Sequence, residues 1–114
     1  MDTPDPHLQG SRRVREVFAR VRSGDLSVAD LYAEDAVVVY ADGAQVEGRE
    51  AIREFYRRAI DRIRPEPVVE TVLEAPPLFV VLVNVPSAAI DHRALDLFEV
   101  DGSGIRRLEI YARK

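Results

Sequence analysis

Apolar residues recur along this chain with two alternating periods, and each period marks an element. Val14, Val17, Phe18 and Val21 fall at i, i+3, i+4 and i+7, the single apolar stripe of an amphipathic helix. Ser11 can cap that helix and Gly24 can end it. Ahead of it, residues 1–10 contain Pro4, Pro6 and Gly10 and are expected as a disordered tail before a single domain over 11–114. Ser27 with Asp30 predicts a short second helix reaching Tyr32. A β-branched strand follows over 36–41, then an Asp42-Gly43 turn and a brief return strand over 45–47. Ile52, Phe55, Tyr56, Ala59, Ile60 and Ile63 share one face of the clearest helix, stopped by Pro65. The rest reads as strands over 68–73, 78–85, 90–100 and 105–112. Pro76-Pro77, a turn over 86–89 and Asp101-Gly102-Ser103-Gly104 separate them.

The order is therefore helix, short helix, hairpin, long helix and a meander of about four antiparallel strands. Helices and strands grouped this way predict an α+β fold with the helices against one face of a curved, mostly antiparallel sheet. Such a sheet, wrapped around helices, forms a conical barrel with one apolar cavity, where a small hydrophobic molecule would bind.

Composition narrows the partners. The 114 residues suit one domain. Net charge is −4, with the charges interspersed, so no basic stripe invites nucleic acid. Lys114 is the only lysine, and the many arginines fall mostly on predicted solvent faces. No apolar run approaches the ~20 residues that span a bilayer, and residues 1–10 lack the apolar stretch of a signal peptide, so a cytoplasmic protein is expected. Without cysteine there are no disulfides or thiolate metal sites. His92 has no second ligand at metal-binding spacing, so no metal is expected. No glycine-rich phosphate loop is present, and no cofactor is implied.

Three stretches carry a family likeness: Ser23-Gly24-Asp25-Leu26 with Leu31-Tyr32-Ala33-Glu34-Asp35-Ala36; Gly48-Arg49-Glu50-Ala51-Ile52-Arg53-Glu54-Phe55-Tyr56; and Leu95-Asp96-Leu97-Phe98-Glu99-Val100-Asp101-Gly102-Ser103-Gly104. In this order and spacing the chain resembles the ketosteroid isomerase-like, SnoaL-like branch of the nuclear transport factor 2-like superfamily, over roughly residues 14–112. The resemblance implies a cone-shaped fold, a homodimer packed through the outer sheet face, and enolisation or isomerisation of a small hydrophobic carbonyl compound. In that chemistry an aspartate moves a proton between carbons, while a tyrosine and a protonated aspartate donate to the developing oxyanion. Carried over, Asp96 falls on the protonated aspartate, with Phe98 beside it. Tyr56 falls on a supporting tyrosine, and Tyr32 lies where some members place another. Val17 stands at the oxyanion tyrosine and cannot donate. Tyr40 stands at the base, where an ordinary pKa near 10 makes it a poor proton acceptor.

The residues themselves leave alternatives open. Asp96 alternates with Ala94 and Phe98 and either faces the cavity with a raised pKa or lies on an exposed face after a one-residue slip. His92 shares its parity, as a pocket proton shuttle or a rim residue. Tyr40 alternates with Val38 and either donates to a ligand or fills the cavity. Tyr32 and Tyr56 are core aromatics whose hydroxyls need partners, or members of a network with Asp96. Asn84 is a pocket donor or a strand-end residue, and Asp42 a turn residue or a substitute base. Val17, Val38 and Phe55 complete the expected pocket lining. Asp91, Arg93 and Asp96 weakly echo the aspartate–arginine–aspartate set of epoxide hydrolysis. Isomerase or cyclase, non-catalytic binding module and filled dimerisation domain are the competing functions.

Overall fold

The computed structural model describes residues 6–86 and 91–112. Helix α1 (Pro6–Ser23) leads through a 3-10 helix (Leu26–Leu31) into β1 (Tyr32–Val39) and β2 (Gln45–Glu47). Helix α2 (Arg49–Ile63) is followed by β3 (Val68–Ala75), β4 (Leu78–Pro86), β5 (Asp91–Asp101) and β6 (Gly104–Ala112). The six strands form one curved sheet in the order β2-β1-β6-β5-β4-β3. Only β1 and β6 run parallel. The terminal strands β2 and β3 do not pair with each other, so the sheet stays open.

The first helix starts five residues before Ser11, so residues 6–10 are its opening turns and not a lead-in. Pro6 suits a first helical position, where its missing N–H costs nothing. Gly10 is buried, and a Cβ there would meet the Phe79 ring at 2.1 Å. This close seating ties the extra turns to β4. The cap of the 3-10 helix is Asp25 in place of Ser27: its carboxylate accepts from the Ser27 N–H at 2.9 Å. Strand β1 begins four residues early because an irregularity between Tyr32 and Val37 lets the chain join β6 on both sides of it. The Asp42-Gly43 turn forms as expected, with Tyr40 N–H donating to Ala44 O and Asp42 accepting from Ala44 N–H. Asp42 is held there by turn chemistry.

Both helices lie on the inner face of the sheet. Val14, Val17, Phe18 and Val21 of α1, with Ile52 and Tyr56 of α2, meet Val38, Phe79, Val81, Val83, Phe98 and Leu108 in one core. Strand periodicity puts Phe79, Val81 and Val83 inward on β4, and Ala94, Asp96 and Phe98 inward on β5. The turn between β5 and β6 depends on Gly104. Its φ is 126°, and a Cβ would come within 2.9 Å of Leu31 O.

Candidate functional site

The strand register arranges the inner face in rows. Phe98 pairs with Phe79 on one side and Leu108 on the other; two residues along β5, Asp96 pairs with Val81 and Ile110. On β1, Val39 pairs with Glu109, so Tyr40 follows at the level of Ile110. Tyr40 and Asp96 thus flank Ile110 across two strand spacings, about 10 Å. Beyond them the inner residues are small: Ala94 opposite Ala112 and Val83.

Asp96 is only 7% exposed, and its Oδ1 has no hydrogen-bond partner among the described residues. A carboxylate without partners cannot remain ionised in such surroundings without a large penalty. Burial accordingly pushes its pKa up to about 7. Near neutrality the group is divided between carboxylate and carboxylic acid, and the acid form is a hydrogen-bond donor.

A hydroxyl pair lies in the adjoining core. Tyr32 comes from the start of β1 and Tyr56 from the middle of α2, and their oxygens are 2.5 Å apart. Burial raises both phenol pKa values, and the charge of Asp96 raises them further. Both tyrosines therefore stay protonated, within electrostatic reach of Asp96. From Tyr32 a ladder of rings runs outward: Tyr32–Tyr56 centroids are 5.9 Å apart, Tyr56–Phe55 4.9 Å and Phe55–Tyr40 5.1 Å. Tyr40 is half-buried, and burial raises its pKa, taking it further from use as a base at neutral pH.

The other expected site residues divide. Val17, Val38 and Phe98 have almost no accessible surface and fill the interior. Phe18 packs edge-on against Phe98 at 6.0 Å and completes that filling. Asn84 lies outside the site. Because Phe79, Val81 and Val83 take the inner face of β4, Asn84 takes the outer one, opposite Arg93. Arg93 itself pairs with Glu70 at 2.5 Å on that outer face. It therefore does not join Asp96 in an aspartate–arginine set. His92 stands opposite Val85 in β5, and its side chain lies outside the described residues. Ile110, which separates Tyr40 from Asp96, was not anticipated. Only the pairing of β1 with β6, distant in sequence, puts it there.

Among the recesses between described residues, two border the rings of Phe79 and Phe55. One, of about 530 Å³, sits between Gly10, Arg13, Pro77, Phe79 and Asp101. The other, of about 470 Å³, separates α2 from the β1–β2 hairpin and includes Tyr40 and Phe55. Among the described residues no group of three His, Cys, Asp or Glu side chains could hold a metal ion, and no helix is long and apolar enough to cross a membrane.

Comparison with known proteins agrees with this fold. The family model for the SnoaL-like domain matches residues 14–108. No curated protein matches the chain. Among solved structures, a candidate SnoaL-like polyketide cyclase from Jannaschia sp. CCS1 is 17% identical with a TM-score of 0.83, covering 98% of this chain and 90% of that one. An epoxide hydrolase/cyclase-like enzyme of pyran ring formation in salinomycin is 16% identical with a TM-score of 0.84, covering 93% and 92%. A protein from Sphaerobacter thermophilus is 26% identical with a TM-score of 0.74, covering 90% and 94%. At the identities of the first two, the likeness speaks for the fold alone.

Proposed function

The chain belongs to the SnoaL-like domain family, and on that premise we propose that it binds a small hydrophobic carbonyl compound on its inner face and promotes enolisation or isomerisation there, with Asp96 as the oxyanion donor. The observation that carries this reading is the buried Asp96 Oδ1, which meets no partner among the described residues. A protonated Asp96 would donate to the ligand oxygen, where charge develops as the enolate forms, in surroundings that exclude water. The Tyr32–Tyr56 pair would hold further hydroxyl dipoles near that acid.

One observation favours a second reading, a non-catalytic binding module. The base position carries Tyr40, whose phenol is kept protonated, and Asp42 is engaged in its turn. In this reading the same acid orients the ligand without proton transfer between carbons.

A homodimer through the outer sheet face, in the cytoplasm, belongs to the same proposal. Leu73 is paired with Val80 and Val80 with Leu97; Leu82 is paired with Leu95 and Leu95 with Tyr111. They form two apolar rows on that face, and Leu73 and Tyr111 are more than half exposed. Sedimentation equilibrium giving a monomer at micromolar concentration would remove this part.

The test of the site is a binding titration with a planar, steroid-like phenol at pH 6 and pH 8, on the native protein and on Asp96→Asn. Native binding at pH 6 that weakens at pH 8, and weakens again on substitution, is expected. Equal affinity for both proteins, or no binding to either, would overturn the oxyanion-hole reading. Conversion of a β,γ-unsaturated ketone to its conjugated isomer, followed by absorbance, separates catalysis from binding alone.

A further inference from the structure

The recess between α2 and the β1–β2 hairpin has a chemistry of its own. Ala51, Phe55, Arg58 and Arg62 succeed one another at spacings of four, three and four, which places them on one stripe of α2. Tyr40 and Val46 face that stripe across a space of about 470 Å³, a volume within the range of small-molecule sites. Its apolar half is formed by the edge-to-face rings of Tyr40 and Phe55, with Val46 and the small Ala51 beside them.

Its polar half is cationic and underused. Arg58 bonds Glu54 through Nε alone, at 3.2 Å, so its Nη donors meet no described residue. Arg62 makes no hydrogen bond or ion pair among the described residues. Glu54 is the one carboxylate in the recess, and Arg57 already grips it from outside. The two guanidiniums therefore outweigh the one shared carboxylate. The Tyr40 hydroxyl also lacks a described partner, and Arg58 lies near enough for its charge to act on that phenol.

We infer that this recess is a binding site for a small aromatic or alicyclic carboxylate, with the ring over Tyr40 and Phe55 and the carboxylate on Arg58 and Arg62. Guanidinium forks match carboxylate geometry, and they bind it more strongly than a neutral oxygen. The site does not depend on Asp96 and stands whether or not the inner face is catalytic.

Calorimetric titration of the full chain with 2-naphthoate and with its neutral counterpart 2-naphthamide tests the inference. Naphthoate is expected to bind at least roughly tenfold more tightly than the amide, the size of one charge-assisted contact. The double substitution Arg58→Gln with Arg62→Gln should remove that preference. Both guanidiniums are exposed, so the fold does not depend on them. Ala51→Trp, which keeps both cations and fills the apolar half, should abolish binding of either probe. Asp96→Asn should leave naphthoate binding unchanged. The inference is overturned if naphthoate does not bind, if acid and amide bind equally, or if the double variant binds as the native protein does. It is also overturned if Asp96→Asn removes binding, which would assign the probe to the inner face.

Discussion

Two neighbouring rows of the inner sheet face differ by a single step of two residues along β5, about 6.6 Å, and behave as opposites. In the Phe98 row, Phe79, Leu108 and the Phe18 ring from α1 close around a side chain with no accessible surface. In the Asp96 row, a buried acid sits between Val81 and Ile110 with an oxygen that no described residue satisfies. The first row is a packed apolar interior and stabilises the domain. The second tolerates an unmet polar atom, which works against stability. Both central side chains are buried, so burial alone does not distinguish scaffold from site; the satisfaction of polar atoms does.

Removing the ring of the first row should have the largest effect. Phe98→Ala is expected to lower unfolding free energy by about 3–5 kcal/mol, as for other buried aromatic truncations, measured by urea denaturation. A loss below about 1 kcal/mol would mean that this row is not the packed anchor of the sheet.

Asp96→Asn should act on pH dependence. The folded-state pKa is raised to about 7 from an ordinary 3.8, so between those values the folded protein holds a proton that the unfolded chain has released. This group's contribution is then fullest below pH 4, declines as pH rises towards 7, and is flat above. Each unit is worth about 1.4 kcal/mol, giving on the order of 4 kcal/mol across the window. The difference in stability between native and variant, measured from pH 4 to pH 8, should shift in the variant's favour by up to that amount. A constant difference would show that Asp96 titrates as an ordinary carboxyl.

Tyr32→Phe should have the smallest effect, about 1–3 kcal/mol, because it strips the Tyr56 hydroxyl of its buried partner. Restoration of the lost stability by the double substitution with Tyr56→Phe would identify hydrogen-bond satisfaction, and not ring packing, as the origin.

Much of this was legible in the sequence where period and punctuation agree. The long helix ends one residue short of Arg64, just before Pro65, and the return strand occupies 45–47 as read. The inward parity of Asp96 follows from alternation with Ala94 and Phe98. The start of α1 was hidden because Pro6 and Gly10 look like breakers, while one is a helix opener and the other makes room for Phe79. Asn84 stays open between pocket and strand end in the sequence because Leu78 to Val85 is apolar at both parities, so the run itself does not mark an inner face. The Tyr40–Ile110–Asp96 level and the recess beside Phe55 depend on β1 pairing with β6 and on α2 lying over the hairpin, neither of which a local pattern encodes.

The parallel pairing of β1 with β6 also bears on how the domain is made. Strands β3 to β6 can zip one after another from local hairpins, yet β6 is an interior strand between β5 and β1. The first strand and its hairpin therefore have no sheet to join until the last one has emerged from the ribosome. Closing a loop of some seventy residues makes this late contact a slow one. A chain cut before β6 would not merely lack an end: it would be two separate sheet fragments, with the helices and their apolar stripes waiting on a surface that does not yet exist.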